Sequence, residues 1–60
     1  MALERELLMT KEVAPILRVT EWWLRQRRQL GGGPKWSKIG GRVVYSRADI
    51  EEYINQNKRG

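Results

Sequence analysis

The sequence lacks cysteine and histidine throughout its 60 residues. Disulfide cross-links are therefore excluded, and so are the soft ligands that a zinc site would use. The longest apolar run covers residues 13–17, far short of the ~20 residues that span a bilayer. The N-terminus also lacks the basic-then-apolar order of a signal peptide. These absences predict an intracellular protein with no metal, no cofactor and no membrane partner.

The chain is too short to enclose a large catalytic cleft, because a domain of this size buries only about 60% of its unfolded surface. The clustered carboxylates are Asp49, Glu51 and Glu52. A pair of catalytic acids needs two environments that separate their pKa values, and an exposed helix offers none. Hydrophobic residues make up 40% of the chain, which suffices for one core. The sequence predicts one small domain that is not an enzyme.

Acidic residues are fewer than basic ones and are unevenly placed. Seven acids against 12 bases give a net charge of +5. From Arg18 to Arg47, eight basic residues accompany one acid, Glu21, which is a local charge of +7. The other acids lie outside this segment: Glu4, Glu6, Glu12, Asp49, Glu51 and Glu52. Such a distribution predicts a basic face that binds a polyanion.

A first short helix is predicted over residues 11–17, with Thr10 as its N-cap. Pro15 removes one hydrogen bond from this helix and is expected to shorten or kink it. Arg18 and Val19 then separate it from Thr20, a second N-cap candidate. Two short helices with such a connection are the sequence form of a helix-turn-helix.

The second helix, predicted over residues 21–30, would be the recognition helix. At 100° per residue, its side chains divide between two faces. The inward face carries Trp23, Leu24, Arg27 and Leu30, and the outward face carries Trp22, Arg25, Gln26 and Gln29.

A glycine-rich loop, residues 31–34, ends the second helix. Two β-rich runs follow, residues 36–39 and 43–45, and between them Gly40 and Gly41 suit a tight hairpin turn. This hairpin is the candidate wing. Ser46 then caps a third helix predicted over residues 47–56. The chain divides into an N-terminal arm (1–7), a domain (8–57) and a frayed tail (58–60).

A known pattern runs from Leu8 to Ile54, and its most specific part is the wing sequence of residues 38–42 followed by Tyr45 and a capped helix. The matching residues are Leu8, Thr10, Lys11, Glu12, Val13, Ala14, Val19, Thr20, Gly33, Pro34, Lys38, Ile39, Gly40, Gly41, Arg42, Val43, Tyr45, Asp49 and Ile50. The sequence resembles the excisionase and AlpA-like family of MerR-related winged helix-turn-helix proteins. The resemblance implies a mainly α-helical fold with a small β-hairpin. It also implies a second helix in the major groove of DNA and a wing on an adjacent minor groove or its phosphates.

Three residues depart from the family pattern. Arg18 stands at a turn position where glycine is common, so the backbone there either avoids positive φ or is strained. Arg27 replaces a buried Trp, and we expect its stem to pack while its guanidinium turns toward solvent or DNA. Trp23 replaces a small polar residue and is expected to fill the volume that Arg27 leaves.

The charge pattern and the resemblance together select the predicted DNA contacts. On the recognition helix these are Thr20, Glu21, Trp22, Arg25, Gln26, Arg28 and Gln29, and in the turn and wing they are Arg18, Lys35, Lys38, Gly40, Gly41 and Arg42. Arg25 suits guanine, Gln26 suits adenine, and Arg42 suits a narrow minor groove. For Lys35 and Lys38 the alternative is a sheet edge charged against aggregation.

The three tryptophans receive different predictions. Trp22 faces outward, where it contacts a thymine methyl, covers the base of the wing or belongs to a protein interface. Trp23 and Trp36 are expected to fill the core.

The function implied by the resemblance is that of an excisionase of a phage or mobile element. Several copies would bind and bend attachment-site DNA cooperatively and help an integrase to excise it, in the cytoplasm and nucleoid of a bacterial cell. Neighbouring copies would meet head to tail, the acidic third helix or Glu4 and Glu6 of one copy against the basic side of the next. The alternatives are an AlpA-like transcriptional regulator with the same fold and a small protein-interaction module.

Overall fold

The computed structural model describes residues 6–58, in which three helices combine with one three-stranded antiparallel sheet. In chain order the elements are β1 (Leu7–Met9), α1 (Thr10–Leu17), α2 (Glu21–Leu30), β2 (Ser37–Ile39), β3 (Arg42–Ser46) and α3 (Arg47–Gln56). The strands lie in the order β1-β3-β2. This arrangement confirms the predicted winged helix-turn-helix. Its wing is the hairpin of β2 and β3, residues 37–46.

The sheet contains one strand more than the sequence predicts. Residues 7–9 form β1, which pairs with β3 so that Leu7 lies opposite Ser46 and Met9 opposite Val44. The pairing extends one residue further, because the Arg47 N–H donates to the Glu6 carbonyl at 3.0 Å. The predicted two-stranded wing is therefore the outer part of a larger sheet. Residues 1–5 of the predicted arm and residues 59–60 of the predicted tail lie outside the described residues.

The start of α1 differs from the prediction by one residue. Thr10 is the first residue of the helix, and Met9 occupies the cap position with extended backbone. The Met9 N–H donates to Glu12 Oε1 at 2.8 Å, so a carboxylate in the first turn provides the hydrogen-bond acceptor for the backbone N–H of the cap residue. Thr10 as N-cap is therefore wrong. The helix is eight residues long and continues through Pro15.

The second and third helices have the predicted bounds and caps. Thr20 Oγ1 accepts a hydrogen bond from the Trp23 N–H at 2.9 Å, and Ser46 Oγ accepts one from the Asp49 N–H at 3.0 Å. Each cap satisfies one of the backbone donors that the first turn of a helix leaves without an intrahelical partner. The start of the recognition helix is thereby fixed at Glu21.

The core lies where the three helices meet β3. Its buried members are Val13, Ala14, Leu24, Tyr45 and Ile50, and partly buried Leu8, Leu17, Val19, Trp23 and Val43 pack against them. Two side chains predicted inside are instead exposed, Leu30 by 70% and Trp36 by 41%. Leu30 ends α2, where Gly31 turns the chain away at positive φ. Trp36 precedes the edge strand β2, so the sheet covers it only in part.

Candidate nucleic-acid interface

The outward side of α2 is open to solvent, as its helical periodicity predicts. Trp22 is 63% exposed, Arg25 and Gln29 are also exposed, and Gln26 is partly buried. On the opposite side Leu24 is completely buried against the core. Because Leu24 holds the inner face, the positions at Trp22, Arg25 and Gln29 remain free to meet a ligand.

The two residues at the start of α2 are also exposed. Thr20 uses its oxygen as a cap acceptor, which leaves its hydroxyl proton free to donate to a phosphate. Glu21 lies in the first turn, where its negative charge suits the helix dipole.

The turn that joins α1 to α2 is built around Arg18 in the left-handed conformation. Its φ and ψ are 62° and 42°. The Arg18 N–H donates to the Pro15 carbonyl at 3.2 Å, and the Val19 N–H donates to the Ala14 carbonyl at 2.9 Å. These two bonds form a Schellman motif, in which glycine usually occupies the left-handed position. Of the two alternatives for Arg18 the strained one is therefore correct, and its side chain is exposed beside the recognition helix.

The wing turns at Gly40 and Gly41, whose φ angles are 60° and 82°. Two consecutive positive φ values are those of a type I′ hairpin turn, as the glycine pair predicts. A Cβ added at either glycine would have no heavy atom within 4 Å. Conformation rather than crowding therefore requires glycine at the tip of the wing.

The strand register separates the basic side chains of the wing. Arg42 lies opposite Ile39, whereas Lys38 lies opposite Val43. Since paired residues share a face and neighbours along a strand alternate, Arg42 and Lys38 belong to opposite faces of the hairpin. Both are exposed.

Lys35 lies between the glycine loop and the wing, on the side of α3. It lines a cleft of about 100 Å³ together with Asp49 and Glu52. The carboxylates of α3 thus lie closer to Lys35 than the distribution of charge along the sequence indicates.

Arg28 differs from the other predicted contacts of α2, because it is half-buried and its guanidinium is engaged within the protein. Its Nη1 donates to Tyr45 Oη at 2.9 Å and to Thr10 Oγ1 at 3.3 Å. Its Cζ also lies 5.9 Å from the centre of the Trp36 ring. No local sequence signal connects these four residues, which come together only in the folded chain.

The stem of Arg27 packs as its replacement of a Trp predicts, but its guanidinium lies over Trp23 with a buried Nε and does not turn away toward solvent. A Cβ added at Gly33 would lie 2.7 Å from the Arg27 Cβ, so the stem of Arg27 rests directly on the glycine loop. The Arg27 Cζ lies 5.5 Å from the centre of the Trp23 ring, within the range of a cation–π contact. Its Nε is buried and has no hydrogen-bond partner within residues 6–58. The guanidinium is therefore held over Trp23, and Trp23 covers part of the core beneath it.

The charges at the edge of β1 are partly paired. Arg47 Nη2 lies 3.4 Å from Glu6 Oε1, and both side chains are more than half exposed. Glu6, one of the acids predicted to meet a neighbouring copy, thus already has a partner in its own chain. Glu4, the other, lies outside the described residues. No helix within residues 6–58 has both the length and the apolar character to cross a membrane.

The comparisons with known proteins agree with this geometry. A family model described as a helix-turn-helix domain matches residues 7–58, which is nearly the whole chain. The match covers the recognition helix, the wing and α3 together. Neither the curated proteins nor the solved structures give a match.

Proposed function

Because the chain belongs to the helix-turn-helix domain family, which indicates DNA binding, we propose that it binds double-stranded DNA in a sequence-specific manner. The recognition helix α2 enters the major groove, and the wing contacts the adjacent minor groove or its phosphates. The observation that carries this proposal is the exposed side of α2, on which Trp22, Arg25 and Gln29 lie free beside the basic turn at Arg18.

The bases are read by the outward side of α2. Arg25 forms a bidentate contact with guanine O6 and N7, and Gln26 pairs with adenine through the part of its side chain that remains accessible. Trp22 covers a thymine methyl beside them. Thr20, Glu21 and Gln29 border this surface and fix its position on the duplex.

The backbone is contacted by the turn and the wing. Arg18 and Lys38 bind phosphates, and Gly40 and Gly41 let the wing approach closely enough for Arg42 to enter the minor groove. Lys35 adds to the positive potential that attracts the DNA backbone, but the neighbouring carboxylates of α3 make its contribution smaller.

The test begins with selection of a binding site from random duplexes, followed by titration of single-base variants of that site. Arg25→Ala should cost ~1–3 kcal/mol on the selected site and relax the preference at one base pair. Lys58→Ala is the matched control, since it removes one exposed charge beyond the end of α3. If Arg25→Ala weakened binding to every duplex equally, Arg25 would not read a base.

The biological role that we propose is that of an excisionase. It is supported by the resemblance in the wing and the capped third helix. Several copies bind adjacent sites head to tail, bend attachment-site DNA and help an integrase to excise it. The relation to MerR-type regulators stays a prediction.

An excision assay with the integrase of the same element tests this role. The protein should stimulate excision and inhibit integration of a substrate carrying both attachment sites. Regulation of a promoter without any effect on recombination would instead make it an AlpA-like regulator, because the same fold and contact surface serve either task. Binding to a protein through the Trp22 surface, with no preference among DNA sequences, would make it an interaction module.

Head-to-tail assembly is tested separately, by binding isotherms on DNA that carries one, two or three copies of the selected site. Cooperative binding that is lost when the spacing changes by half a helical turn supports the array. Independent binding of monomers at every spacing would refute it.

A further inference from the structure

Arg28 contacts three parts of the protein outside its own helix. Its Nη1 reaches Tyr45 Oη at 2.9 Å on the central strand β3, and Thr10 Oγ1 at 3.3 Å at the start of α1. Its guanidinium also lies over Trp36, immediately before β2, at 5.9 Å from the ring centre. One side chain of the recognition helix thus touches the first helix, the sheet and the segment that enters the wing.

This connection matters because of how the helices pack. The main contacts of α2 are with α1, whereas the sheet packs mainly against α1 and α3. The hydrogen bond from Arg28 to Tyr45 therefore joins the recognition helix directly to β3, the strand that also forms one side of the wing. Tyr45 is only 1% exposed, so its hydroxyl is held in a fixed position by the core.

We propose that Arg28 is a positioning residue, which fixes the recognition helix relative to the wing and so sets sequence specificity without binding DNA itself. The inference rests on the proposed function. Base contacts in the major groove and wing contacts beside it must form at the same time, so the angle between α2 and β3 decides which sequence satisfies both. Hydrogen bonds from a guanidinium are strong and directional, which suits this task. To bind a phosphate through Nη1, Arg28 would have to give up both hydrogen bonds.

Two substitutions separate positioning from phosphate binding. Arg28→Lys keeps the positive charge, which serves a phosphate contact well, but its ammonium lies one bond closer to the backbone than Nη1, the atom that donates to both Tyr45 and Thr10. Tyr45→Phe removes the hydroxyl and changes no charge. Tyr53→Phe is the matched control, because it removes the hydroxyl of a half-buried tyrosine on α3 outside this cluster.

The measurement is the dissociation constant for the selected site and for a scrambled duplex, each over a series of salt concentrations. Temperatures are chosen at which circular dichroism shows every variant fully folded. Arg28→Lys and Tyr45→Phe should each lower the ratio of specific to non-specific affinity by about tenfold, the factor equivalent to ~1.4 kcal/mol. Binding to the scrambled duplex and the slope of log K against log salt should stay as in the wild type, and so should every value for Tyr53→Phe.

The proposal is overturned by either of two results. If Arg28→Lys behaves as the wild type while Arg28→Met makes the slope of log K against log salt shallower by about 0.9 on both duplexes, Arg28 is a phosphate ligand. If Tyr45→Phe cannot be distinguished from Tyr53→Phe, the bond to β3 does not govern specificity. Should Arg28→Lys fail to fold, Tyr45→Phe and Thr10→Val carry the test. A wild-type protein that does not distinguish the two duplexes would refute the proposed function instead.

Discussion

We expect replacement of Arg18 with glycine to stabilise the protein and to weaken its binding to DNA. The residue adopts φ 62° and ψ 42° in a Schellman motif whose two hydrogen bonds come entirely from the backbone. Glycine can form the same bonds without a Cβ that crowds the following carbonyl. The exposed Arg18 side chain takes no part in these backbone hydrogen bonds. We therefore expect it to contribute to DNA binding through its positive charge, which lies beside the recognition helix.

The size of the effect on stability follows from two opposing terms. A left-handed conformation costs a non-glycine residue ~1–2 kcal/mol, which Arg18→Gly removes. Glycine also raises the conformational entropy of the unfolded chain, which lowers the free energy of unfolding by ~0.4–1 kcal/mol and cancels part of that gain. The net stabilisation should be about 0.5–1 kcal/mol, which raises Tm by roughly 2–8 °C in a domain of this size.

The assay combines thermal unfolding with DNA titration. Arg18→Gly should melt above the wild type, yet its log K against log salt should be shallower by about 0.9, the contribution of one phosphate. Arg18→Ala is the matched control, because it removes the same charge while keeping a Cβ in the left-handed position. It should share the reduced slope without the gain in Tm.

Two results would contradict this reasoning. Equal melting temperatures for Arg18→Gly and Arg18→Ala would mean that the turn is not strained in the way its backbone angles indicate. A wild-type salt slope in Arg18→Ala would mean that Arg18 does not contact a phosphate, whatever its effect on stability.

Three further substitutions test the packing that supports the interface. Leu24 has no exposed surface, so Leu24→Ala should lower the free energy of unfolding, measured with urea, by ~2–5 kcal/mol. A decrease of less than ~1 kcal/mol would mean that Leu24 does not lie at the centre of the core. Gly33→Ala places a Cβ 2.7 Å from the Arg27 Cβ and should cost ~1–3 kcal/mol. Arg27→Gly, which removes that Cβ, should relieve part of this cost in a double-mutant cycle, whereas simple additivity would argue against the contact. Ser46→Ala should cost ~1 kcal/mol by removing the cap of α3, and an equal loss from the exposed Ser37→Ala would show that capping is not the cause.

Local signals in the sequence predict those elements whose causes lie within a few residues of one another. The side chains of Thr20 and Ser46 each cap a helix through a hydrogen bond to a backbone N–H three residues on. Gly40 and Gly41 form the turn of the wing between neighbouring strands. In these places the bounds of α2 and α3 and the position of the wing could be predicted.

Features that depend on distant partners could not be predicted in the same way. The strand β1 has only three residues, too few for a periodic pattern, and exists because β3 lies beside it. Thr10 resembles a cap by residue type, yet its oxygen accepts a hydrogen bond from Arg28 while Glu12 satisfies the start of the helix. The exposure of Leu30 and Trp36 likewise depends on where the neighbouring elements end.

The sequence by itself determined the order of the helices, the capped start of the recognition helix, the wing turn and the excess of basic residues between α1 and α3. Only the tertiary structure decided which basic side chains are engaged within the protein: Arg28 is bound to Tyr45, and Arg47 is paired with Glu6. The reason is that helical periodicity fixes the direction of a side chain relative to its own axis. The groups that meet it come from strands and helices far away in the chain, and their positions are set by the packing of the whole core.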